Sequence, residues 1–302
     1  MDTLTQVVFP GMGNTVNLTV IGDDELIDVA KHRIAELESR WSRFIATSDV
    51  SRMNRAEGRP TPVHADTVRL VSFLISAQLL TGGAFDPTIA PVLNDLGYVA
   101  SRTSSVDTCD LAPHSHSGCD LSTTVFDARF NALTLPAGAT LDPGGLGKGL
   151  AADIVATELI ALGAHGVCLS IGGDVRCSGI GPIDGSWIID VAHPRRDGTT
   201  IGRIRLGDGA VATSSVHAKQ WTHDRASVHH VIDPVRRAPL EIHEGSIVQS
   251  TVIAAEVVWA EVFATWVLID QGFPRDPALA GMVVRADDGV ERNERWKDFA
   301  DE

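Results

Sequence analysis

Glu261 and Thr265 stand four residues apart in an apolar run, Ala255 to Ile269, whose pattern predicts a helix. At that spacing their oxygens leave one helix face. With a backbone carbonyl they make an oxygen donor set of the kind Mg2+ prefers, a hard ion that keeps several of its waters. From residue types alone, such a pair is more often a solvated face or a packing detail. A second candidate is Leu141-Asp142-Pro143-Gly144-Gly145-Leu146-Gly147-Lys148-Gly149, where four glycines and a lysine occupy six residues ahead of a helix-period pattern. Bare N–H groups at a helix start can hold an anion. The stretch is not a Walker A loop: Asp142 stands where glycine is needed, and Gly149 where Ser or Thr should follow the lysine. Its glycine spacing also differs from the dinucleotide fingerprint. The plain alternative is a turn that lets a helix pack close to its neighbour. A third candidate is His230, whose imidazole suits taking a proton from a hydroxyl near neutral pH. It is one of 11 histidines, and His229 beside it stays open as the functional one.

The elements that position these groups are legible in outline. Val7 to Ile21 alternates around Gly11-Met12-Gly13-Asn14 and reads as two strands or one bulged strand. Asp23-Asp24-Glu25 opens a helix whose apolar positions run from Leu26 to Trp41. Residues 41–54 read as polar and irregular, followed by a helix over 66–80 that stops at Thr81-Gly82-Gly83. A loop through Ala84-Phe85-Asp86-Pro87 leads into a short helix. Strands are expected at 123–126 and 133–141, a helix at 149–162, and strands at 166–171, 187–192, 200–206, 210–213, 229–232, 247–254 and 282–286. Hairpin-like strands mixed with helices predict an α+β fold. The Ser-rich residues 101–120 read as an exposed loop or insertion in a single domain spanning 1–302. Within them Cys109, His114, His116 and Cys119 are zinc-ligand types, but the spacing fits no usual zinc module.

The chain of 302 residues carries 25 basic and 39 acidic side chains, a formal charge of −14. That balance argues against nucleic acid or an anionic membrane as a general partner. No stretch reaches the roughly 18 apolar residues of a membrane span, and no signal peptide is visible, so a cytoplasmic setting is expected. Four cysteines offer no disulfide framework and fit a reducing compartment.

Taken in order, six motifs resemble one family. They are Phe85-Asp86-Pro87-Thr88, Leu141 to Gly149, Ile171-Gly172-Gly173-Asp174-Val175-Arg176, Ala210-Val211-Ala212-Thr213-Ser214, His230-Val231-Ile232-Asp233-Pro234, and Ala260-Glu261-Val262-Phe263-Ala264-Thr265. With Gly11-Met12-Gly13 and Ser51-Arg52-Met53-Asn54, they resemble the FAD:protein FMN transferases, also called ApbE, across nearly the whole chain. The resemblance implies a T-fold-like α+β architecture with a mostly antiparallel sheet and a cleft for FAD. It implies a Mg2+-dependent enzyme that cleaves FAD, attaches FMN through a phosphoester to a Thr or Ser of an acceptor protein, and releases AMP. An FAD pyrophosphatase and a non-catalytic flavin-binding protein are the alternatives. Residue by residue, it implies metal ligation by Glu261, Thr265 and the Gly147 carbonyl, and a catalytic role for His230. Met12, Phe44, Ala84, Phe85, Asp86, Lys148 and Ile232 would bind FAD. Glu261 stands where the family usually has Asp, Gly147 where it often has Ala, Phe44 where it often has Tyr, and Asn14 where it has Thr. Val235-Arg236-Arg237 follows Asp233-Pro234 where the family continues x-Thr-Gly, which predicts loss of a tight turn.

Overall fold

A computed structural model describes residues 3–100, 111–273 and 276–301. Its helices are α1 (Glu25–Trp41), α2 (Asp49–Asn54), α3 (Ala65–Leu80), α4 (Ala90–Asp95), α5 (Gly147–Ala161) and α6 (Val257–Asp270). The chain divides into two compact units. The first comprises Met1–Ile34, Lys148–Gln220 and Glu241–Glu302; the second comprises Ala35–Gly147 and Trp221–Leu240.

The first unit is built on one eight-stranded sheet. Its strands are β1 (Thr3–Gly11), β2 (Asn14–Gly22), β3 (Gly166–Ile171), β4 (Asp174–Gly179), β5 (Gly209–Ser215), β6 (Ile247–Ala254), β7 (Ala280–Arg285) and β8 (Val290–Arg292). They lie side by side in chain order, and every neighbouring pair is antiparallel. The sequence explains the ends and the middle. β1, at an edge, alternates between exposed and half-buried positions, as a strand with one covered face should. β6 is buried from Ile247 to Ile253 on both faces, and its sequence is accordingly rich in Val and Ile. α6 packs on β5 and β6; it is apolar nearly all round, the mark of a helix that lies inside the protein. On the sheet's Cys177 side, a hairpin of Trp187–Ala192 with Thr200–Leu206 buries Trp187, Val191, Ile204 and Leu206 together with Val175, Ile253 and Met282.

Two tight turns lie together at one end of the sheet. Met12 and Gly13 join β1 to β2 with φ of 51° and 66°, and Gly172 and Gly173 join β3 to β4 with φ of 65° and 99°. Positive φ at both central residues is the type I′ geometry that matches strand twist. The Gly172 N–H donates to the Thr15 carbonyl at 3.0 Å. A Cβ at Gly172 would lie 2.9 Å from the Asn14 side chain, so glycine is needed there.

The second unit holds α2, α3, α4 and a small sheet of Thr61–Pro62, Ala132–Thr134 and Val125–Asp127. Several expectations change here. The strand expected at 229–232 is instead two short strands, Ala226–His229 and Ile232–Asp233. Part of 41–54 is α2, capped by Ser48, whose Oγ accepts from the Ser51 N–H at 3.0 Å; six residues are too few to show a period. The strand expected over 133–141 ends at Thr134. Beyond it the Asn54 side chain takes a strand's place, donating to the Leu141 carbonyl at 2.9 Å and accepting from the Leu141 N–H at 2.7 Å. The turn after Asp233-Pro234 is kept. Asp233 Oδ1 accepts from the N–H groups of Val235 and Arg236, and Arg237 closes the turn in the left-handed conformation, φ 55°, where the family carries glycine. Residues 111–120 carry no helix or strand, and Cys109 lies outside the described residues. Among the described residues no helix is long and apolar enough to cross a membrane, and no group of three His, Cys, Asp or Glu side chains is arranged for a metal ion.

Candidate active site

The Gly-rich turn delivers Lys148 into a buried cluster of the first unit. Its ammonium contacts Glu261 Oε1 and lies 3.2 Å from Asp174 Oδ2. Both carboxylates are deeply buried, with Glu261 3% and Asp174 4% exposed. Charges this far from water persist only when paired and hydrogen-bonded. Glu261 Oε2 meets that need through the Gly149 N–H at 2.9 Å. Burial pushes the Glu261 carboxyl above its usual range; Lys148 counters this in part, while Asp174 adds to it. Burial alone would lower the Lys148 ammonium, but Glu261 and Asp174 hold it above its ordinary value.

Gly149 is what lets α5 come this close to α6. A Cβ there would lie 2.9 Å from Glu261 Oε2 and 2.9 Å from the Val257 backbone. One turn further along α5, Asp153 caps α6. Its two oxygens accept from the Val257 and Val258 N–H groups at 3.0 and 2.9 Å. The α6 N-cap residue, Glu256, makes no side-chain cap bond of its own. The cap is therefore supplied by another helix, and its charge suits the positive end of the α6 dipole. Burial pushes the Asp153 carboxyl up to about 6, although both N–H groups and the Arg176 guanidinium, 3.5 Å away, oppose the shift. Asp153 thus fixes the helix that carries Glu261.

Thr265 follows Glu261 by one turn of α6, and its hydroxyl lies 3.1 Å from Ser214 Oγ on β5. The oxygens of Glu261, Asp174 and Thr265 are hard donors, and the two carboxylates already share one cation, the Lys148 ammonium. In donor type the cluster fits Mg2+. Met12 sits half-buried in the β1–β2 turn at φ 51°, a conformation uncommon for a residue with a Cβ, and the Asn14 side chain donates to its carbonyl at 2.8 Å.

The remaining expected site residues belong to the second unit. Phe85 is buried, and its ring fills the place a Cβ of Gly145 would take. Asp86 is buried and its oxygens are engaged by the protein. Oδ1 accepts from the Thr88 N–H and hydroxyl, and Oδ2 from the Gly118 N–H at 3.0 Å. Ala84, half-buried, precedes them, and Gly147 is the first residue of α5. Phe44 is half-buried, its ring edge-on to Tyr98 at 5.7 Å. Ile232 packs in the core with Val92 and Leu93. His229 is buried with Nε2 3.1 Å from the Leu240 carbonyl, so that nitrogen carries the proton. His230 is half-buried.

Sequence reasoning brought Glu261, Thr265 and Lys148 into view, and offered close helix packing as the plain role of the glycines that include Gly149, but missed Asp153 and Ser214 as supports and Asp174 as the second carboxylate. Asp174 carried a local signal, the Gly-Gly-Asp turn. Asp153 carried none, because its partners lie 104 and 105 residues away.

Comparison with known proteins agrees with this architecture. The family model described as the ApbE family matches residues 12–274. A Vibrio cholerae protein named FAD:protein FMN transferase is 26% identical over 296 residues, covering 93% of this chain and 87% of that one. The Haemophilus influenzae protein of the same name is 24% identical, covering 85% and 78%. Among solved structures, the ApbE protein of Thermotoga maritima matches with a TM-score of 0.83 at 23% identity, over 99% of this chain and 100% of that one. The flavin transferase ApbE of Vibrio cholerae matches with a TM-score of 0.78, also at 23% identity and with the same coverage. At these identities the solved structures speak for the fold.

Proposed function

Because the chain belongs to the ApbE family, we propose that it is an FAD:protein FMN transferase, moving FMN from FAD to a Thr or Ser hydroxyl of an acceptor protein. The observation that carries this reading is the family match over residues 12–274, within which all six motifs fall. The acceptor oxygen attacks the phosphorus on the FMN side of the pyrophosphate. A phosphoester bond forms, the bond to the bridging oxygen breaks, and AMP leaves. Such a transfer depends on positioning and on neutralising charge.

In this reading Glu261 and Thr265 would hold Mg2+, and the ion would supply positive charge to offset that of the pyrophosphate. Lys148 pairs with the Glu261 and Asp174 carboxylates and holds them in place. Asp153 and Gly149 set the position of α6. His230 takes the proton of the attacking hydroxyl. The acceptor is a protein, and the setting proposed is cytoplasmic.

The test is to incubate the protein with FAD, Mg2+ and the Thr-bearing domain of a flavinylated protein. The reading expects a covalent fluorescent band on the acceptor in a denaturing gel, and no band when the acceptor Thr is replaced by Ala. AMP release without any band would instead assign the pyrophosphatase activity.

A further inference from the structure

Cys168 and Cys177 lie outside the cluster just described, directly opposite each other on β3 and β4. The two-residue turn Gly172-Gly173 makes Ile171 and Asp174 the first hydrogen-bonded pair of this hairpin. Counting back along the register, bonded and non-bonded pairs alternate, and Cys168–Cys177 is a non-bonded pair. At such pairs the Cα atoms approach to about 4.5 Å, inside the range that a disulfide spans. The two sulfurs are 3.8 Å apart, with the Cys177 thiol donating to Cys168 Sγ. Side-chain rotation suffices to close that gap to the roughly 2.05 Å of an S–S bond.

The two thiols are not equivalent. Cys177 is fully buried beneath the Trp187–Leu206 hairpin, whereas Cys168 sits half-buried at the rim of the same cluster. The hydrogen bond from Cys177 favours the Cys168 thiolate and holds its own proton in place. Cys168 is thus the sulfur that solvent-borne reagents reach, and Cys177 waits behind it.

We propose that Cys168 and Cys177 form an oxidisable dithiol, which a hydroperoxide converts reversibly into a cross-strand disulfide. The Cys168 thiolate attacks a peroxide oxygen and the O–O bond breaks. With one proton taken from water, Cys168 becomes a sulfenic acid and an alcohol, or water, departs. The Cys177 sulfur then attacks Cys168 Sγ. The S–S bond forms, the S–O bond breaks, and the hydroxyl leaves as water with the Cys177 proton. In sum, two thiols and one hydroperoxide give one disulfide, one alcohol and one water; a small dithiol reverses the change.

The experiment treats the reduced full-length protein with hydrogen peroxide, then denatures it, alkylates with iodoacetamide and maps the peptides by mass. The expected product joins the peptides of Cys168 and Cys177, two hydrogens lighter and unalkylated, and dithiothreitol restores both alkylation sites. Cys168→Ser should leave Cys177 alkylatable at the same dose. Cys177→Ser should stop at a Cys168 sulfenic acid that dimedone traps, so the proposal is testable even if one variant fails to fold. The proposal is overturned if both thiols stay alkylatable at doses that oxidise free glutathione. It is also overturned if Cys168 runs on to sulfinic acid with Cys177 still free, or if Cys177 oxidises at an unchanged rate in Cys168→Ser.

Discussion

Replacing Gly149 by alanine sets two effects of known size against each other. Alanine is a better helix former than glycine by about 1 kcal/mol, which favours the variant. Against that, the new Cβ would sit 2.9 Å from the Val257 backbone and 2.9 Å from Glu261 Oε2. The backbone atoms cannot rotate away, so α6 must shift, and overpacking of this kind costs about 1–3 kcal/mol. Moving the carboxylate also weakens its bond to the Gly149 N–H, a charge-assisted hydrogen bond of the class that contributes about 1.5–3 kcal/mol. The steric and electrostatic losses win, leaving Gly149→Ala less stable by about 1–3 kcal/mol. Thermal unfolding should show a Tm lower by several degrees. Gly147→Ala is the control two residues earlier. Its Cβ would meet only the Pro143 Cβ, at 3.3 Å, so its stability should match or exceed that of the wild type. A Gly149→Ala protein with a Tm equal to or above the wild type would refute the close approach of α5 and α6.

Other substitutions probe the supports separately. Asp153 has its carboxyl raised to about 6, so the folded state binds its proton more tightly than the unfolded state. That contribution to stability is full below pH 4 and lost as pH rises to about 6. Urea unfolding should find wild type losing about 2–4 kcal/mol relative to Asp153→Asn across that window; a pH-independent difference would contradict the assignment. His229→Ala should lower stability by about 1–3 kcal/mol by orphaning the Leu240 carbonyl. His230→Ala should instead keep its Tm and lose FMN transfer, and the reverse pattern would exchange their roles. Arg237→Gly should raise the urea midpoint by about 0.5–1 kcal/mol of stability, since it relieves a left-handed arginine.

The sequence made plain what is encoded locally. β6 was bounded residue for residue by its β-branched run, and α6, expected over 255–269 and observed over Val257–Asp270, was found by its apolar length with its start two residues off. The break at Met12-Gly13 was visible as either a turn between two strands or a bulge in one; its left-handed methionine was not visible, because no local rule places a Met there. What stayed hidden depends on distant partners. Lys148 meets Glu261 across 113 residues, and the cap of α6 comes from α5 rather than from its own preceding residue. Capping rules read only neighbours, so they assign that terminus no cap at all. The strand expected at 133–141 failed for a similar reason. Asn54, 87 residues away, supplies both hydrogen bonds that a neighbouring strand would have made. The Thr-Gly signature proved replaceable, because Asp233 alone can build the turn through its side chain.

In the function proposed, the buried cluster of Glu261, Lys148 and Asp174 serves metal-dependent cleavage of FAD. The direct measurement is AMP formed from FAD in the presence of the Thr-bearing acceptor domain, by wild type and by Glu261→Gln, each with Mg2+ and with EDTA, alongside the Tm of both proteins. Wild type should form AMP with Mg2+ only, and Glu261→Gln should form none although it remains folded. Equal AMP from the two proteins, or AMP from wild type undiminished by EDTA, would contradict it.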